Sequence, residues 1–257
     1  MPTYLWEPRR TRRLYHIPQL SMSKKQQKQV AGSKHGKKYT EKAALVEANK
    51  AYPVAEACEL LSKLSTTKFD GTAEAHIRIA ADTTQADQLV RTTVDLPHGT
   101  GKTVRIAAFV PEDMVEDAKK AGADKAGLDD LVKEIESGSI DFDVAVAVPQ
   151  VMKNLGKVAK TLGQKGLMPN PKAGTVTDNI AKTIAALKKG RIECKMDKFG
   201  IIHVPFGKIS FGGDKLKDNL QALLAAINEA KPSGIKSTYI LTVFITPTMG
   251  PGVKVAF

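Results

Sequence analysis

Two short runs, TVRIAAFV (residues 103–110) and FDVAVAVP (142–149), are apolar almost without interruption, and two helix-forming stretches lie between them. A half-exposed strand alternates polar and apolar residues, whereas one that is apolar at nearly every position has to be covered on both faces. The intervening PEDMVEDAKKAG starts acidic and stops at Gly122, and LDDLVKEIESG repeats the pattern. Buried strands alternating with helices belong to a parallel sheet between helical layers. Residues 99–189 are therefore expected to form a small, Rossmann-like, three-layer α/β domain. Its last third predicts a helix carrying Val151, Leu155, Val158, Ala159 and Leu162, then the loop GQKGLMPNPKAGTVT. Thr177 or Asp178 is expected to cap a final helix, NIAKTIAALKKG, that ends at Gly190.

The flanks have a different texture. Pro53 followed by Val54, Ala57, Cys58, Leu61 and Leu64 has the spacing of a helix with one buried face. Ala73, Ala75, Ile77 and Ile79 then alternate with polar residues, which reads as a half-buried strand, and RTTVDLP (91–97) is a second strand. After residue 190, RIECKMD and IIHVPFG read as a hairpin around Lys198, Phe199 and Gly200. DKLKDNLQALLAAINEAKP reads as a long amphipathic helix, and STYILTVFITPTMGP as a strand entering a turn. Such strands on both sides of the α/β block imply a mixed α/β chain: a split α+β domain, 41–98 and 190–257, with an antiparallel sheet and helices, and the Rossmann-like domain inserted into it.

The formal charge is +12 with a pI near 9.5, so an acidic polymer is the expected partner, nucleic acid before membrane. Residues 1–40 hold ten Lys or Arg and one acid, Glu7, in a composition that reads as a basic disordered arm; residues 41–257 hold 29 basic and 26 acidic residues. The Arg-rich first 21 residues also look like an organellar transit peptide, and Met22 would serve as an alternative start. The two cysteines, Cys58 and Cys194, stand far apart and suggest neither a disulfide framework nor a zinc site, which fits a reducing cytoplasmic setting.

Motifs for catalysis are sparse. GTGKT (99–103) resembles the end of a phosphate-binding loop, and a nucleotide-binding enzyme built on it is the alternative reading. The motif's first glycine, however, would fall on Leu96, and TVRIAAFV reads as a strand where a helix should begin. The five histidines show no metal-ligand spacing, and G-x-S-x-G and G-x-G-x-x-G are both missing. No cofactor, metal or catalytic residue is implied. With a single Trp and few other aromatics, extended base-stacking platforms are not expected, and KFGIIHV is only distantly similar to an RRM strand.

VMKNLGKVAKTLGQKGLMPNPKAGTV (151–176) resembles the signature of the family of the first protein of the large ribosomal subunit, bacterial type, which sits on the mobile stalk. TTKFDG (66–71), LPHGTGK, KPSGIKSTY and ITPTMGPGVKV match other parts of that family. The resemblance covers about residues 40–257 and accounts for GTGKT as a crossing between domains. It implies a cytoplasmic, non-catalytic ribosomal protein, a monomer within the ribosome, that binds large-subunit rRNA, assists release of exit-site tRNA and represses its own mRNA. Carried over by position, the RNA-binding residues are Thr248, Met249 and Gly250 of the TMG turn, Lys68 and Phe69, Thr242 on the strand before the turn, and Glu59 on the facing helix.

Thr242, Thr246 and Thr248 are at even spacing and would share one face of a regular strand, able to donate to ribose hydroxyls and phosphates. Met249 and Phe69 would give apolar contacts, Gly250 would let an RNA backbone approach, and Glu59 would accept from a 2′-hydroxyl. Each has a plainer reading, as core, strand or helix-surface residue. Gly71 departs from the family, where an acid is common. Gly99 and Gly101, with Gly166 and Gly174 of the loop 163–174, are expected to be hinges at the two junctions of the inserted domain.

Overall fold

The computed structural model describes residues 36–47, 50–232, 234–235 and 238–257, and Lys37–Phe257 form one compact unit. The basic arm up to residue 35, the transit-peptide reading and Met22 lie outside the described residues. The arm's last residues differ from expectation, since Lys37–Ala43 is a helix, α1, with no buried residue. Next come β1 (Tyr52–Pro53), α2 (Val54–Leu64), β2 (Thr72–Ile79) and β3 (Arg91–Asp95). The middle of the chain supplies β4 (Ile106–Phe109), α3 (Val115–Lys120), β5 (Lys125–Gly127), α4 (Asp129–Glu136) and β6 (Val144–Ala147). Three helices complete it: α5 (Met152–Leu155), α6 (Ala159–Gln164) and α7 (Ile180–Lys189). Last are β7 (Arg191–Lys195), β8 (Ile201–Lys208), α8 (Gly213–Glu229), β9 (Ile240–Pro247) and β10 (Val253–Ala256).

Buried apolar residues fall into two clusters. One draws on 52–96 and 194–255, the other on 106–187. The first lies under a five-stranded sheet ordered β1-β10-β9-β2-β8, antiparallel except for the β1–β10 pair. Alternation explains its register: Ala73, Ala75, Ile77 and Ile79 point to the core, as do Val243 and Ile245 of β9. Ala57, Cys58, Leu61 and Leu64 of α2, with Leu216, Leu220, Leu223 and Ile227 of α8, cover that face. The second cluster surrounds the parallel sheet β5-β4-β6. Every residue of β4 is fully buried, so both its faces are covered, as its unbroken apolar sequence requires.

Three local expectations need correction. RIECKMD and IIHVPFG do not form a hairpin: β7 pairs with β3 in a separate two-stranded sheet, β8 pairs with β2, and only a Met196–Ile202 bridge joins them. The turn is real, with the Asp197 carboxylate accepting from the Phe199 and Ile201 amides, but the strands diverge because each finds a longer partner elsewhere. The helix expected through 151–162 is interrupted between α5 and α6, although Val151, Leu155, Val158 and Leu162 all remain buried. Finally, Asn179 caps α7, its side chain accepting from the Lys182 amide, while the Thr177 hydroxyl accepts from the Asn179 amide one step earlier.

The chain passes between the two clusters at 96–105 and again at 188–191. These crossings touch: at Gly190, whose φ is 113°, an added Cβ would lie 2.3 Å from the Gly99 Cα. Asn219 of α8, fully buried, pins the first crossing. Its Oδ1 accepts from the His98 amide, and its Nδ2 donates to the carbonyls of Gly99 and Phe206 at 3.0 and 2.8 Å. Gly166 and Gly174 are not at a crossing. Their loop closes the α/β cluster, where the Thr175 carbonyl accepts from the Ala147 amide and Ala147 bridges Val176. GTGKT leads into a coil and then β4, with no helix after it, and the Lys102 ammonium is held 3.0 Å from the Asp143 carboxylate.

Candidate nucleic-acid interface

Three segments meet at one end of the five-stranded sheet: 65–72 after α2, 208–211 after β8, and 247–250 after β9. Thr248 is the fastener. Its amide donates to the Thr72 carbonyl at 2.9 Å, its hydroxyl donates to the same carbonyl at 3.1 Å, and the Thr72 amide donates back to that hydroxyl at 2.9 Å. The Thr66 hydroxyl donates to the Met249 carbonyl, and the Gly250 amide closes the turn on the Pro247 carbonyl. On the other side, Ser210 donates to the Asp70 carboxylate through both its amide and its hydroxyl, and the Lys208 ammonium reaches the Thr72 hydroxyl at 3.1 Å.

What this frame displays is apolar. Phe69 is 64% exposed and Met249 77% exposed, and Lys68 is exposed beside them. Met249 also has φ 61°, the only positive φ among the described residues other than glycine. Left-handed backbone at such a residue costs on the order of 1–3 kcal/mol and persists only where the surroundings hold it. Here Thr66 and Thr248 hold it.

The structure reassigns several of the sequence-predicted roles. Thr242 and Thr246 do share the open side of the sheet, but the hydroxyl of Thr246 is 3.0 Å from His76 Nε2 and that of Thr248 is spent on Thr72. Thr242 alone of the three has no side-chain partner among the described residues. Gly250 is constrained by the protein itself, since a Cβ there would lie 2.5 Å from Pro247 Cγ and 3.1 Å from the Leu64 carbonyl oxygen. Gly71 is buried, and a Cβ there would lie 2.8 Å from Ile209 Cδ1 and 3.4 Å from the Thr67 hydroxyl, so a side chain at this position would have to displace the tip of Ile209. Glu59 is exposed on α2 with no hydrogen bond or ion pair to the turn. Its Cγ instead lies over Gly213, at the N-terminus of α8, where a carboxylate complements the helix dipole.

Other residues of this region were not singled out from sequence. On the open side of the sheet, Phe244 is 38% exposed, and His76 pairs with Phe244 on one strand and His203 on the other. The two histidine Nδ1 atoms are 2.8 Å apart, and burial together with His203 holds His76 below the usual histidine range. Alternation along β2 would have placed His76 on this side; the cross-strand pairings carry no signal within one sequence. Between the two clusters lies a cleft of about 550 Å³, with Thr72, Glu74 and Lys208 on one wall and Gly166, Leu167 and Met168 on the other. Thr72 and Lys208 thus border both the frame and the cleft.

Residues 61–251 match the Ribosomal protein L1p/L10e family. The chain is 51% identical over 225 residues to the large ribosomal subunit protein uL1 of Chloroflexus aggregans, covering 86% of this chain and 95% of that protein. It is 48% identical over 223 residues to the protein of the same name from Thermosipho melanesiensis, covering 86% and 96%. With that of Kosmotoga olearia the figures are 47% over 221 residues, 86% and 96%. GTGKT builds a crossing that leads into coil and β4, with no helix after it, and on the strength of a match over residues 61–251 and relatives about half identical over most of their length, the chain belongs to the ribosomal protein L1p/L10e family.

Proposed function

We propose that this chain is a structural protein of the large ribosomal subunit that binds rRNA of the mobile stalk through the frame around Thr72 and Thr248. The observation that supports this reading is the pair of exposed apolar side chains, Phe69 and Met249, held on hydrogen-bonded turns beside Lys68 and Lys208. Folding gains nothing from leaving them in water. Against a ribose or base each has a partner, and for the aromatic ring of Phe69 stacking on a base contributes about 1–3 kcal/mol. Thr242 and Phe244 extend the surface along the open sheet. The residues 41–98 and 190–257 act as the RNA-binding domain and 99–189 as a second domain that pivots at Gly99, Gly101 and Gly190, which suits a stalk that assists release of exit-site tRNA on cytoplasmic ribosomes.

The test is binding to a stalk rRNA fragment at several salt concentrations, comparing wild type with Phe69→Ala and Met249→Ala. Both residues are exposed, so folding should be unchanged while affinity falls about tenfold or more for each, equivalent to about 1.4 kcal/mol. Unchanged affinity in both variants would remove the site from this frame. Repression of the protein's own message is part of the same reading and is checked with a reporter carrying the native leader, which excess protein should silence.

A further inference from the structure

The α/β block is electrically polarised. From Lys102 to Asp143 it carries six Lys or Arg against eleven acids, and from Val144 to Lys189 eight Lys against one acid, Asp178. Within this second part, residues 144–177 contain five lysines and no Asp or Glu at all. Residues 41–257 hold 29 basic and 26 acidic residues; without these five lysines the balance would be 24 against 26. Residues 190–257 are also positive, with nine basic against five acidic residues, but there the signs are mixed, whereas 144–177 is basic without any acid.

Its placement follows from the core. Val151, Leu155, Val158 and Leu162 are buried, and Lys153, Lys157 and Lys160 are exposed. Lys153 is on α5, Lys157 in the turn that interrupts the helix and Lys160 on α6, and all three are exposed while the apolar residues between them face the cluster. Lys165 follows the end of α6, and Lys172 sits in the short turn Pro171–Ala173, whose start is fixed by Asn170 accepting from the Lys172 amide. None of the five side chains has an ion-pair or hydrogen-bond partner among the described residues. Lysines without such a partner occur elsewhere too, Lys63, Lys133 and Lys217 among them, but each of those has an Asp or Glu within four residues, and 144–177 holds none. Mixed signs are the ordinary surface pattern, and five unneutralised lysines depart from it.

We propose that this acid-free face, Lys153, Lys157, Lys160, Lys165 and Lys172, is a second RNA-docking surface that grips the phosphate backbone of double-helical RNA without reading its bases. The residue types fix that class of partner. Lysine is a point charge on a flexible stem, suited to phosphates, whereas base edges are read by planar guanidinium or amide groups and single strands by aromatic stacking. No Arg occurs between Arg105 and Arg191, and no aromatic between Phe142 and Phe199. The opposite sign is concentrated where α3 and α4 begin, at Glu112, Asp113, Glu116 and Asp117 and at Asp129 and Asp130, so RNA is repelled from those elements and the block presents one side.

The inference rests on the reading of the chain as an RNA-binding ribosomal protein, and its test separates the two. The full-length protein is titrated with a short RNA duplex of random sequence over a range of salt. The same is done for a variant with all five lysines changed to glutamine and for one with Lys24, Lys25, Lys28, Lys34 and Lys37 changed instead. Each phosphate that a variant no longer neutralises lowers the slope of log affinity against log salt by about 0.9 for a double helix. The body variant should lose about 3 or more in slope, with an unchanged melting temperature and retained selectivity for the stalk fragment over the duplex. A slope within about 1 of wild type, or a loss seen only in the arm variant, overturns the proposal. Failure of the stalk fragment to bind wild type would overturn the underlying reading instead.

Discussion

Replacing Asn219 by alanine should destabilise the protein far more than its single polar side chain suggests. The residue is fully buried on α8, in line with Leu216, Leu220 and Leu223, and serves three backbone groups: the His98 amide at 3.0 Å, the Gly99 carbonyl at 3.0 Å and the Phe206 carbonyl at 2.8 Å. Leaving a buried donor or acceptor unpaired costs about 1–3 kcal/mol. Two of the bonds are buried and the third only partly, and alanine returns roughly 0.5 kcal/mol in helix propensity. The expected loss is therefore about 3 kcal/mol, or roughly 6–12 °C in melting temperature for a chain of this size. Differential scanning calorimetry measures it directly. Asn219→Asp adds a sign. Its ionised carboxylate would face the Gly99 and Phe206 carbonyls, so its folded pKa is raised above the unfolded value near 3.9. Stability of that variant is then fullest below about pH 4 and declines as pH rises toward neutrality. A loss below about 1 kcal/mol for alanine would refute the reasoning, because it would mean that water satisfies the crossing unaided.

Two further predictions concern the same sheet and crossing. Gly190→Ala combines a left-handed φ of 113° with a Cβ 2.3 Å from the Gly99 Cα, so it should destabilise by more than about 2 kcal/mol in urea denaturation, whereas Gly138→Ala, at φ 89° with nothing within 4 Å, should show the backbone strain alone. His76, held below the usual histidine range by burial and by His203, binds its proton less readily folded than unfolded. Its contribution is therefore present above the unfolded value near 6.5 and is lost as pH falls through it, and His76→Gln should flatten the stability profile between about pH 7 and 5.

How much could be read in the sequence depended on whether the cause was local. Alternation along 72–79 and the apolar run at 106–109 reflect burial that each residue experiences by itself, and both strands are where they were expected. The pairing of β7 with β3, residues about a hundred apart, is a competition between partners that no segment encodes alone, and adjacency in sequence suggested the wrong one. Asn219 did leave a trace, a polar residue within the apolar stripe of α8. What it bonds to, across 120 residues, did not. The loop at 163–174 has glycines that suggested a junction between domains, yet it lies within the α/β cluster beside Ala147 and Val176, and the crossings that meet are those at Gly99 and Gly190.

The proposed RNA frame shows the same division at finer scale. The side chains expected to touch RNA were chosen as separate residues, but their physical roles differ. Thr248 spends its hydroxyl on Thr72, and Gly250 yields to Pro247 and Leu64, so both are parts of the scaffold. Phe69 and Met249 are what the scaffold holds out. That arrangement lowers the entropy lost on binding, because turns already fixed by hydrogen bonds need no ordering when a ligand arrives. It also makes Thr248→Ala and Met249→Ala different experiments. The first should weaken RNA binding by loosening the turn and should lower stability as well; the second should weaken binding alone. If both lowered stability equally, Met249 would belong to the scaffold and the division between the frame and the side chains it displays would be wrong.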